Sequence, residues 1–130
     1  MNTETIAECM KASFANTPFP AVVQRLAGAG VHSYRADLMK LRSTYYDDAA
    51  QAVDEAMPLA DAPAIAAIFD PDALAAVVKA IQRKEIGYAE FLRRIMASGC
   101  ASYEVFFGGR KAVYVGRDGD VYIEPFPQAA

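Results

Sequence analysis

The sequence predicts an α+β domain in which helices pack on an antiparallel sheet, and two observations predict it. Segments with apolar residues at helical spacing, each stopped by glycine, are followed by short β-rich runs separated by turn residues. The chain also matches itself without gaps: residues 7–58 lie on residues 76–127, an offset of 69 positions. The identical pairs include Arg25/Arg94, Gly30/Gly99, Tyr34/Tyr103, Tyr45/Tyr114 and Glu55/Glu124. Helix end, glycine and both tyrosines stay in phase, which predicts a tandem duplication of a helix-helix-hairpin (meander) unit within one domain, residues 1–130.

The elements follow in order. A first helix over Thr3 to Phe14 carries Ile6, Met10 and Phe14 on one stripe. Thr17 before Pro18 reads as an N-cap, and Phe19, Val22, Val23 and Leu26 form a second helix that stops at Gly30. The first hairpin sets Tyr34 opposite Tyr45, with Met39-Lys40 at its turn. A third strand near Gln51 to Glu55 is weak, because Asp47-Asp48-Ala49-Ala50 stands where an Asp-Gly turn would help. A short helix over Ala62 to Phe69 is expected to join the halves.

Asp70-Pro71 opens a third helix with Leu74, Val77, Val78 and Ile81 on its stripe. Tyr88, Phe91, Leu92 and Ile95 form a fourth, stopped by Gly99. Two-residue turns at Gly108-Gly109 and Asp118-Gly119 then fix a second meander. Tyr103 faces Tyr114 in that register, and Tyr114 faces Ile123. Period two places Val121 and Ile123 toward the helices and Phe106, Val113, Val115 and Tyr122 on the outer face.

Composition excludes several classes. The 130 residues carry a net charge of -3 with a pI near 5.1, the opposite of what a phosphate-backbone binder needs, so no nucleic-acid partner is expected. The longest apolar run, Ala62 to Phe69, is broken by Pro63 and is too short to cross a bilayer, so no membrane partner is expected. The start, Met1-Asn2-Thr3-Glu4-Thr5, has no secretory character. Cys9 and Cys100 then read as reduced, buried thiols of a cytoplasmic protein.

The residues resemble a family. Phe19-Pro20-x-Val22-Val23, Gly30-Val31, Tyr34-x-x-Asp37 and Thr44-Tyr45-Tyr46 are similar to its first-half pattern. Phe69-Asp70, Tyr88-x-x-Phe91, Arg93-Arg94-x-Met96-x-x-Gly99-Cys100, Gly109-Arg110 and Glu124-x-Phe126-Pro127 are similar to its second half. The family is the bacterial one catalogued as domain of unknown function 1398, some of whose members carry the label "phage envelope protein". The resemblance implies no activity and no site residues. It has one departure, the missing Asp-Gly turn after Tyr46.

Chemistry is sparse. His32 is the single histidine and reads as an exposed loop residue. Two cysteines and one histidine without ligand spacing give no metal site, and no cofactor is expected. The glycine-rich turns open no helix, so they are not phosphate cradles. Arg83-Lys84 and Arg93-Arg94 read as a solvated helix face. The candidate ligand site is Arg35, Asp37, Arg42 and Tyr46 on the outer face of the first hairpin, where the second copy has Glu104, Phe106, Lys111 and Val115. The candidate interface is Phe106, Val113, Val115 and Tyr122, which predicts a homodimer, with cover by the linker from Met57 to Phe69 as the rival. The expected function is therefore a non-enzymatic binding protein for a protein or small ligand. The alternative is a small enzyme with a carboxylate and tyrosine site at Asp37, Tyr46 and Glu124.

Overall fold

The computed structural model describes residues 1–127. Helices α1 (Thr3–Phe14) and α2 (Phe19–Gly28) precede strands β1 (Ser33–Asp37), β2 (Arg42–Tyr46) and β3 (Ala52–Ala56). Helices α3 (Pro71–Gln82) and α4 (Tyr88–Ala97) precede β4 (Cys100–Phe106), β5 (Lys111–Gly116) and β6 (Val121–Pro125). The strands form one antiparallel sheet in the order β3-β2-β1-β4-β5-β6. The protein is an α+β domain, with the helices on one face of the sheet.

Local chemistry explains the helix ends. Asn2 and Asp70 cap α1 and α3 by accepting from the Thr5 and Ala73 amides. At the end of α2 the Gly30 amide donates to the Ala27 carbonyl and the Val31 amide to Leu26. That double bond pattern needs a left-handed residue, and Gly30 supplies it with φ +93°. Gly99 closes α4 with φ +95°, its amide donating to the Met96 carbonyl. It is also a point of close approach, since a Cβ there would lie 2.4 Å from the Ile68 carbonyl oxygen.

The core lies between helices and sheet. Ile6, Leu26, Leu38, Leu74, Leu92, Ile95 and Val105 are at most 1% exposed. The cross-strand tyrosines cover the inner face of the sheet. Tyr34 lies opposite Tyr45, and Tyr103 opposite Tyr114, as the sequence predicted, and both ring pairs have centroids 5.4 Å apart. Such pairs are worth about 0.2–1 kcal/mol each. Cys9 and Cys100 are buried free thiols, and burial pushes the Cys100 thiol up to about 12.

The halves meet where β1 pairs with β4. Arg35 there faces Glu104, its counterpart in the self-match, across a 3.5 Å ion pair. The loop between Asn16 and Phe19 also reaches across, because Asn16 Oδ1 accepts from the Tyr88 amide at the start of α4.

Four expectations are corrected. No helix forms over Ala62–Phe69: the segment is pinned instead by Arg93, whose guanidinium donates twice to the Ala60 carbonyl, and by the Ala66 amide on the Met96 carbonyl. Thr17 makes no cap; Pro18 holds that position with no side-chain bond. The weak third strand is a full strand, Ala52–Ala56, paired along β2. Its turn is held by Asp47, whose Oδ1 accepts from the Ala49 and Gln51 amides.

The fourth correction changes the faces. The Arg117-Asp118-Gly119 loop has three residues, with Gly119 left-handed at φ +87°. This is a type I turn closed by a glycine bulge, and it shifts the register by one residue. Tyr114 therefore faces Tyr122, not Ile123. Tyr122 and Glu124 turn toward the helices, and Val121 and Ile123 turn outward, 52% and 54% exposed. The Gly108-Gly109 hairpin keeps its expected register through a longer loop, in which Arg110 rather than a glycine takes the positive φ.

Candidate functional site

Among the described residues, the outer face of the sheet carries no helix. Its first half is built by β1, β2 and β3, whose alternate residues point away from the core. Arg35, Asp37, Arg42 and Tyr46, the four residues expected from sequence, line one hollow of about 320 Å³. Lys40, Thr44 and Asp54 complete its wall. Register explains the gathering. Arg35 faces Thr44, which faces Asp54, and Asp37 faces Arg42. Lys40 enters from the turn between β1 and β2.

The charges in the hollow are unequally committed. Asp37 Oδ1 accepts from the Met39 and Lys40 amides at 3.0 and 3.1 Å, which fixes the hairpin turn. Asp37 and Arg42 face each other across β1 and β2, yet no ion pair joins them among the described residues. Asp54 Oδ1 accepts from the Thr44 hydroxyl at 2.6 Å. Arg35 leans toward Glu104. The Arg42 guanidinium and the Lys40 ammonium have no ionic partner among the described residues, and both are exposed. An anion entering the hollow would meet those donors first, and a guanidinium fork suits carboxylate or phosphate. Comparison with protein-family models and with curated proteins found no match.

A second polar group lies on the opposite face. Glu124 accepts from the Tyr114 hydroxyl at 2.8 Å and from the Gln82 amide. Burial pushes its carboxyl above the usual range, opposed by those two hydrogen bonds. The Tyr88 and Tyr103 hydroxyls bond each other nearby, and burial raises Tyr88 to about 12. The sheet separates Glu124 from Asp37 and Tyr46, so the three do not form one site. His32 is exposed, and among the described residues no three His, Cys, Asp or Glu side chains gather to hold a metal. No described helix is long and apolar enough to cross a membrane.

Sequence reasoning missed Lys40 and Asp54. Lys40 was placed at a turn and not followed into the hollow. Asp54 sits on the strand whose pairing the sequence left weak, and the Asp47 turn was the signal that could have restored it.

A third feature is an apolar groove of about 400 Å³ at the end of the sheet. There Ala62, Pro63, Ala64 and Ile65 of the linker meet Leu38, Leu41 and Met96. The linker thus crosses the sheet end and does not lie over the outer face.

Proposed function

We propose that the protein is a non-enzymatic binding protein that holds a small anionic ligand in the hollow on β1–β3. One observation carries this reading: Arg42 and Lys40 bring uncommitted positive charge to a concave polar wall, while Asp37 and Asp54 are occupied by hydrogen bonds of their own. A hollow of about 320 Å³ is at the small end of ligand sites, which suits a compact polyanion over a large cofactor. Tyr46 also lines the hollow and brings a hydroxyl that can donate to an anion.

Thermal unfolding in millimolar citrate or inorganic phosphate, against chloride at matched ionic strength, tests it. Ligand that binds only the folded chain raises the melting temperature. The wild type should be stabilised beyond the chloride control, and Arg42→Ala and Lys40→Ala should lose that gain. Equal stabilisation of wild type and both variants would contradict the reading.

A further inference from the structure

The turn between β1 and β2 is a shared wall. Lys40 and Arg42 line the anion hollow, while Met39 and Leu41 line the apolar groove at the sheet end. Consecutive residues thus alternate between the two concavities, and the hollow and the groove adjoin across the turn. Another wall of the groove is the linker, which is held on either side of it. Arg93 donates to the Ala60 carbonyl, and the Ala66 amide donates to the Met96 carbonyl. Ile65 lies between those anchors, and Met96, 3% exposed, lies beneath. The groove is therefore a fixed gap of about 400 Å³, with Met39 exposed at its rim.

Charge and polarity select the occupant. Among the described residues that line the groove, Arg117 is the one charged side chain. Like Lys40 and Arg42, it has no ionic partner among the described residues. Asp61 and Asp118 neighbour the groove in sequence, but neither lines it. In the hollow, Asp37 and Asp54 are engaged by the turn amides and by Thr44. Uncommitted positive charge thus stands on both sides of the turn, beside apolar surface on one side only. This pair of cavities fits a molecule with a compact anionic head and an apolar tail. A phosphate monoester suits the head, because near neutral pH it is close to doubly charged and offers oxygens that a guanidinium and an ammonium recognise. We propose that the protein binds a single-chain alkyl phosphate, with the phosphate at Lys40 and Arg42 and the chain in the groove along Met39, Leu41 and Ile65. This rests on the anion reading of the hollow and names the class of ligand.

Chain length is the variable that separates the two cavities. Burying one methylene tightens binding by up to about fourfold. Affinity should therefore climb from hexyl to octyl to decyl phosphate. Inorganic phosphate fills only the hollow, and uncharged octyl glucoside only the groove, so both should bind more weakly than octyl phosphate.

Nuclear magnetic resonance titration of the chain, labelled at methionine methyls and backbone amides, tests the proposal with each alkyl phosphate kept below its micelle concentration. Octyl phosphate should move the Met39 and Met96 methyls together with the Lys40 and Arg42 amides, saturably and with one dissociation constant. Inorganic phosphate should move the amides alone. Met39→Gln, at an exposed position, should weaken octyl phosphate by roughly threefold or more and leave inorganic phosphate unchanged. Ile65→Thr, on the linker wall, should do the same. Arg42→Ala should weaken both. Affinity that does not depend on chain length, or methyls that stay still while the amides respond, would overturn the proposal and leave the anion reading standing. Methyl shifts that keep full affinity in Arg42→Ala would overturn it too, because the groove would then take apolar molecules by itself. Tighter binding to phosphatidylglycerol vesicles than to monomeric octyl phosphate would assign the two cavities to a membrane surface instead. Amides silent toward inorganic phosphate and octyl phosphate alike would sink the anion reading and the proposal with it.

Discussion

Glu124 shows how one side chain can carry a pH signature for the whole fold. Burial raises its carboxyl above the unfolded value of 4.5, so the folded chain holds the proton more tightly. The sign follows from linkage. The stabilisation this gives is fully present below the unfolded value and is lost as pH rises through the raised folded value. Glu124→Gln removes the titration. Urea unfolding of both proteins from pH 4 to pH 7 should show the stability of the variant relative to wild type growing with pH. A difference that stays constant across that range would mean the carboxylate does not titrate differently on folding. The tyrosines around Glu124 act otherwise: Tyr34, Tyr103 and Tyr114 are raised by burial and stay neutral across that range, so their hydroxyls serve as fixed hydrogen-bond groups.

At the scale of elements, the two meanders use one turn with different residues. Asp47–Gln51 and Gly116–Asp120 both close with a left-handed third loop residue, Ala50 at φ +60° and Gly119 at φ +87°. Alanine in that conformation costs about 1 kcal/mol relative to glycine. Ala50→Gly should therefore raise the urea midpoint by an amount equivalent to about 1 kcal/mol, with an unchanged slope. A lower midpoint would show that Ala50 has packing value that outweighs its backbone strain. The same turn explains what the sequence could and could not convey. Helix stripes and the tyrosine pairs were legible because apolar period and aromatic spacing are local. The β5–β6 register was not, because Asp-Gly serves both two-residue and three-residue loops, and one extra residue moves every later side chain to the other face. Tyr122 was thus assigned to the outer face and lies on the inner one, while Val121 and Ile123 did the reverse. The linker failed for a different reason. Ala62–Phe69 is apolar enough for a helix, but Pro63 and the bonds from Arg93 and Ala66 hold it to α4.

At the scale of the molecule, the sheet is a divider. Its inner face holds Tyr34, Tyr45, Tyr103, Tyr114 and Glu124 against the helices, and its outer face presents charge on β1–β3 and the apolar Val113, Val115, Val121 and Ile123 on β5 and β6. The four residues that the sequence singled out meet because β1 and β2 pair in the register that the tyrosines set. Amide chemical-shift mapping tests the proposed ligand site on the outer face most directly. Titrating the isotope-labelled chain with citrate should move amides of Arg35, Asp37, Lys40, Arg42 and Tyr46 together, saturably, and leave those of Tyr88, Tyr114 and Glu124 in place. Shifts confined to the tyrosine and Glu124 face, or no saturable shift on β1–β3, would contradict it.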